Sequence, residues 1–130
     1  MIMSDTGPGD LQTHRDHFWD AAAQGRLLIK RCRDCQEHFF YPRPFCPFCA
    51  SADTEWIAAS GRGVVHSYSL MRRKGEVVFA PAFVTLEEGP TIPTALMDAG
   101  AGVVAIGQPV EVVFAPTEAH PSTPFFRPRD

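Results

Sequence analysis

Apolar and polar positions change rhythm along the chain. Phe18, Trp19, Ala22 and Ala23 recur at helical spacing behind Thr13 and Asp16, which approximate a capping box, and Gly25 stands where such a helix would end. A helix over about residues 14–24 is predicted. Its Phe18 and Trp19 are packing groups, set to anchor the helix on the ribbon or on a partner. Two short apolar runs come next, Leu27 to Ile29 and Phe39 to Tyr41, placed beside polar turns as paired short strands would be. Beyond Ala52 the chain turns β-favouring, with Trp56 to Ala58, Val64 to Met71, Phe83 to Leu86, Thr91 to Met97 and Val110 to Phe114. Gly61-Arg62-Gly63 reads as a tight turn between the first two. Glu88-Gly89-Pro90, Gly100 to Gly102 and Ile106 to Pro109 divide the rest.

Five short strands in about 60 residues make a module the size of a small OB-type barrel, whose loops carry binding. The stretch from Ala115 to Asp130 holds Pro116, Pro121, Pro124 and Pro128, and is expected to run as an extended strap rather than to extend a sheet. Phe125 and Phe126 within it point to docking on this chain or on another. The predicted organisation is a flexible N-terminus over 1–13, a helix and ribbon over 14–52, a barrel over 53–114 and a proline-rich strap over 115–130. The fold class is mainly β.

Composition narrows the function. The chain has 130 residues, enough for one compact domain or two small modules sharing a core, and it is 45% hydrophobic. A formal charge of -3 provides no global positive field for nucleic acid. The longest uncharged run, Ala99 to Val110, carries three glycines and falls short of the roughly 18 apolar residues of a membrane span. Met1 to Asp10 lacks the basic start and apolar stretch of a secretory signal, so the expected location is cytoplasmic.

All four cysteines lie in two tight pairs, Cys32-Arg33-Asp34-Cys35 and Cys46-Pro47-Phe48-Cys49. Two such turns facing each other supply the four converging donors of a tetrahedral metal site. The competing reading, two disulfides, conflicts with a reducing compartment. Four thiolates suit zinc, and they suit the redox iron of a rubredoxin-like site as well; the strand pattern around the knuckles favours a ribbon holding zinc. Closed coordination makes that zinc structural. One zinc with four thiolates also lowers the formal charge to about -5. Arg31, Arg33 and Arg43 beside the knuckles are expected to moderate that excess.

No catalytic constellation accompanies the metal. The cysteines are committed, no Gly-x-Ser-x-Gly elbow occurs, and His14, His17, His38, His66 and His120 are scattered. His66 alternates with Tyr68 on one strand face and reads as a barrel histidine. Arg72-Arg73-Lys74, at the start of a barrel loop, is a run of three basic residues that could meet phosphate groups by charge-assisted hydrogen bonds; a solvated loop is the alternative.

The order of these parts carries a resemblance: Phe18-Trp19, Gly25 to Leu28, Cys32 to Cys35, Pro42-Arg43-Pro44 before Cys46 to Cys49, Gly61-Arg62-Gly63, Ile106 to Val110 and Phe126-Arg127-Pro128. The chain resembles the zinc-ribbon plus OB-fold family associated with acyl-CoA enzymes. That resemblance implies an N-terminal helix and rubredoxin-like zinc ribbon followed by a five-stranded OB-fold barrel. It also implies an accessory subunit of thiolase-like proteins of lipid metabolism, among them lipid-transfer-type thiolases and aldolases and acyl-CoA synthases. The partner would supply the reacting groups, while this chain forms part of the interface and helps shape the path of a CoA thioester, whose phosphates Arg72, Arg73 and Lys74 would then be candidates to meet. Phe18, Trp19, Phe125, Phe126 and Arg127 are the interface candidates. Glycine is usual after each second cysteine, where Gln36 and Ala50 stand here; both positions then need a left-handed backbone. Two other readings stay open, an OB-fold protein binding nucleic acid and a rubredoxin-like electron carrier.

Overall fold

A computed structural model describes residues 11–97 and 104–129. The expected N-terminal segment up to residue 10 and the turn at Gly100 to Gly102 lie outside the described residues. Helix α1 (Leu11–Ala22) leads into β1 (Leu28–Cys32), which pairs antiparallel with β2 (His38–Phe39) on one side and β3 (Thr54–Ala58) on the other. Thr13 and Asp16 therefore lie inside the helix rather than at its cap. The C-terminal end is as expected. Gly25 adopts φ 78°, Arg26 N–H donates to the Ala21 carbonyl at 3.0 Å and Gly25 N–H to the Ala22 carbonyl at 2.9 Å, the paired bonds of a Schellman cap.

The second sheet runs β10-β9-β4-β7-β8, with β4 (Arg62–Tyr68), β7 (Pro81–Leu86), β8 (Thr91–Ala95), β9 (Pro109–Ala115) and β10 (Thr123–Pro128). Between β4 and β7 a separate hairpin of β5 (Met71–Arg73) and β6 (Glu76–Phe79) leaves the sheet. The five-stranded sheet curls until its edges approach at a single bridge, Leu96 to Phe126, where Met97 N–H donates to the Phe126 carbonyl at 2.7 Å. The barrel is not closed.

Two expectations about its membership are corrected. Trp56 to Ala58 does not pair with Val64 to Met71 across the glycine turn; it completes the ribbon sheet through Ile29–Ile57 and Lys30–Trp56 pairs. The fifth barrel strand comes instead from the proline-rich segment, which extends the sheet after all. Proline is tolerated there because β10 is an edge strand whose alternate residues turn their backbone groups outward. Phe126, in step with Pro124 and Pro128, directs its carbonyl away from β9 toward Met97, so neither proline costs a bond to β9.

One apolar cluster joins both modules: Phe18 and Ala21 from α1, Leu27 to Ile29 from the ribbon, and Val65, Val84, Ile92, Val110 and Phe126 from the barrel. The segment before β10 ties to the helix as well. His120 stacks on Trp19 with centroids 3.5 Å apart, and the Ser122 hydroxyl donates to the Ala22 carbonyl at 2.7 Å.

The Gly61-Arg62-Gly63 motif has a steric basis. Gly61 has φ 84°, and a Cβ there would lie 2.6 Å from Val112 Cγ1, while a Cβ on Gly63 would lie 2.5 Å from the Thr85 carbonyl oxygen. Gly63 sits between β7 and β9 at the centre of the sheet, where backbone cannot yield without breaking the ladder. Gly63→Ala is expected to destabilise the protein by about 2 kcal/mol or more, measured by urea denaturation.

Candidate metal centre

Both knuckles are built alike. The Cys32 carbonyl accepts from the Gln36 N–H, and the Cys32 N–H donates to the Glu37 carbonyl; Cys46 does the same with the Ala50 N–H and the Ser51 carbonyl, all at 2.9 Å. Each turn closes through a left-handed residue, Gln36 at φ 70° and Ala50 at φ 66°. A side chain in that conformation costs about 1 kcal/mol and displaces no ligand. Gln36 recovers part of this through its amide, which donates to the Arg33 carbonyl at 3.2 Å and accepts from the Arg31 guanidinium. The Ser51 hydroxyl on the second knuckle donates to Asp34 on the first and so clamps the two together.

The four sulfurs converge. Cys32 Sγ lies 3.5 Å from Cys49 Sγ and Cys35 Sγ 3.6 Å from Cys46 Sγ, with all four within 4.8 Å of one another. Zinc bound tetrahedrally at about 2.3 Å places its sulfurs about 3.8 Å apart, so the set fits one zinc with little adjustment. All four cysteines are free thiols rather than disulfides. The backbone N–H of Cys35 approaches Cys32 Sγ at 3.5 Å, a contact that favours the Cys32 thiolate, and the Phe48 N–H approaches Cys46 Sγ at 3.3 Å.

Without a cation these thiols compete for protons. The Cys35 N–H, acting against burial and aided by the Cys49 thiol, lowers Cys32 to about 7. At Cys35 the Glu37 N–H pulls down, but burial and the neighbouring sulfurs outweigh it and push the thiol up to about 12. A dication ends the conflict by holding all four as thiolates. The ribbon thus carries one structural zinc, with every coordination position taken by protein.

The arginines beside the knuckles face carboxylates. Arg31 pairs with Glu55 at 2.9 Å, and Arg33 with Asp53 at 2.9 Å and Glu55 at 3.4 Å, so neither offers an unpaired charge to a ligand. Arg43 donates from Nε to the Tyr41 carbonyl at 3.4 Å. Arg72 and Arg73 lie on β5 and Lys74 at its tip, all exposed and, among the described residues, without ion pairs. His66 is exposed on β4. Of the interface candidates, Phe18 and Phe126 are buried in this chain's own core, so the docking expected of the C-terminal aromatics falls, for Phe126, within the chain. Trp19 and Phe125 are half-buried, and Arg127 is exposed and pairs with Glu111 at 3.0 Å.

A buried polar pair under the helix has no counterpart among the sequence motifs. Lys30 Nζ lies 2.8 Å from His14 Nε2 and 5.1 Å from the Trp56 ring centroid, and burial pushes the lysine down to about 8. A lysine in a short strand reads as solvent-facing; β1 is covered on both faces because α1 lies across it.

A four-thiolate ribbon followed by a curled five-stranded sheet defines a zinc-ribbon and OB-fold protein. Family models agree in both halves: residues 19–55 match the ChsH2 rubredoxin-like zinc ribbon domain and residues 56–115 the ChsH2 C-terminal OB-fold domain. The chain belongs to the ChsH2 (DUF35) family. It is 35% identical over 121 residues to a "Probable enoyl-CoA hydratase alpha subunit" of Thermomonospora curvata, a match covering 88% of this chain but 38% of that relative's length. A "DUF35 domain-containing scaffold protein" of Methanothermobacter thermautotrophicus is 33% identical over 94 residues, 68% of this chain and 71% of that one. Among solved structures, a chain of the "Ltp2-ChsH2(DUF35) aldolase" superposes with TM-score 0.73 at 31% identity, covering 88% of this chain and 93% of that one. A Sulfolobus solfataricus protein of the DUF35 family shares the fold at TM-score 0.67 and 14% identity, over 89% of this chain and 85% of that one. Among the described residues no helix is long and apolar enough to cross a membrane.

Proposed function

We propose that this chain is a non-catalytic accessory subunit of a thiolase-like enzyme that processes acyl-CoA in lipid metabolism, with its zinc serving assembly rather than chemistry. The observation that carries this reading is the similarity along 93% of a chain of an Ltp2-ChsH2 aldolase, a protein named for two components. The scaffold name of the Methanothermobacter relative points the same way, and the hydratase-subunit name of the Thermomonospora one supports a CoA thioester as the substrate class. A closed metal site adds physical support, because four protein thiolates leave no position for a reacting water or carbonyl. In this reading the partner supplies nucleophile and acid/base groups, and ribbon and barrel present a rigid surface to it in a reducing, cytoplasmic setting. Phe125 and Arg127, which share the side of β10 opposite Phe126, belong to the proposed contact.

The test is an assay of acyl-CoA turnover by the purified chain and by the complex recovered with it. Turnover confined to the complex is expected. Turnover by the isolated zinc-loaded chain would refute the accessory role, and tight, salt-sensitive binding of single-stranded nucleic acid would replace it with the nucleic-acid reading.

A further inference from the structure

The β5–β6 hairpin stands apart from the rest of the fold. Among the described residues its strands pair only with each other, and no other strand or helix makes a comparable contact with either. The connecting turn has Lys74 at φ 54° and Gly75 at φ 85°, the two left-handed positions of a type I′ turn, which gives a well-defined tip. An isolated two-stranded ribbon is marginal in water and needs cover on one face. Here only Val77 packs against the core.

The opposite face carries Met71, Val78 and Phe79 with Arg73 and Glu76, while Arg72 lies across from Val77 and is exposed near the tip. Met71 lies across from Phe79 and Arg73 across from Glu76, and Val78 occupies the bulge between them. Met71, Val78 and Phe79 are 52%, 61% and 49% exposed. Arg72, Arg73 and Lys74 crowd the tip of a protein whose formal charge is -3. An apolar ridge with cations at its end complements an apolar cleft with an acidic rim.

We propose that the β5–β6 hairpin inserts into such an acid-rimmed apolar cleft on the thiolase-like partner and is a principal anchor of the complex. The inference rests on the accessory-subunit reading and adds the surface and its chemistry. Two copies meeting tip to tip would set like charges together, and a side-by-side contact between two hairpins would appear as self-association of the chain without the thiolase-like protein, a result that would overturn the proposal. A small CoA ligand requires a concavity, and the hairpin offers a ridge.

The test uses the full-length, zinc-loaded chain and the thiolase-like protein identified in its complex. Two double variants are compared with wild type, Met71→Ser with Phe79→Ser and Arg72→Glu with Arg73→Glu. Both are expected to keep their zinc and their melting temperature, since these side chains are exposed. Affinity for the partner is expected to fall by roughly tenfold or more in each. In the charge variant, association should also lose most of its acceleration at low salt. Unchanged affinity in both variants, with wild type still bound, would overturn the hairpin's role and leave the accessory reading standing. Intact affinity with a raised KM for acyl-CoA in the charge variant would assign the basic tip to the coenzyme instead. Wild-type chain that binds no thiolase-like protein would overturn both.

Discussion

Stripping zinc with a chelator, or replacing Cys46 by Ser, is expected to unfold the ribbon and to loosen the barrel with it. The ribbon has three short strands, β2 being only His38–Phe39, and a small module cannot bury enough surface to fold unaided. Zinc bound to four thiolates contributes about 10–16 kcal/mol of apparent binding free energy, as large as the roughly 5–15 kcal/mol by which whole domains are stable. Because Phe18, Leu28 and Ile29 share one cluster with Val65, Val110 and Phe126, the loss cannot stay local. Circular dichroism and amide exchange during chelation provide the check, with readdition of zinc restoring the signal. A Cys46→Ser chain that stays folded without metal would contradict the structural role of the zinc.

Phe126→Ala is expected to cost about 3–5 kcal/mol, lowering the melting temperature by more than roughly 10 °C. Phe126 has no exposed surface and sits where the two edges of the curled sheet meet, beside Leu96. Its removal leaves a cavity where those edges approach. Phe125→Ala provides the contrast: that side chain points to the other face and is half-buried, so its loss is expected to cost about 1 kcal/mol. Equal losses in the two variants would show that Phe126 does not anchor the sheet.

The metal site is legible in the sequence because cysteine spacing determines the local geometry almost alone. Each knuckle closes within a few residues, and the left-handed positions at Gln36 and Ala50 are legible through the glycine that the family usually places there. Gly25 is legible for the same reason, since a helix ending in that residue has few alternatives. Long-range pairing is not. Trp56 to Ala58 has the composition of a barrel strand, and only its register with Leu28 to Cys32 assigns it to the ribbon. Four prolines argue against a strand near the C-terminus, yet their effect depends on which way each backbone group faces, and that is set by β9 and Met97 rather than by local sequence. Lys30 gives no local signal because its burial comes from a helix packed across the strand. The isolated hairpin is not legible: Met71 reads as the end of a barrel strand and Arg72 to Lys74 as a loop, whereas they form β5 and its turn, and among the described residues no neighbouring strand covers the exposed Met71, Val78 and Phe79.

The most direct test of the accessory-subunit account is native mass spectrometry of the tagged chain recovered from its own cell at near-physiological salt. The expected result is a hetero-oligomer in which each copy of this chain carries one zinc and a thiolase-like protein is present in stoichiometric amount. A zinc-loaded chain recovered alone, with a partner neither retained nor restored at lower salt, would contradict it, and iron in place of zinc would point to electron transfer.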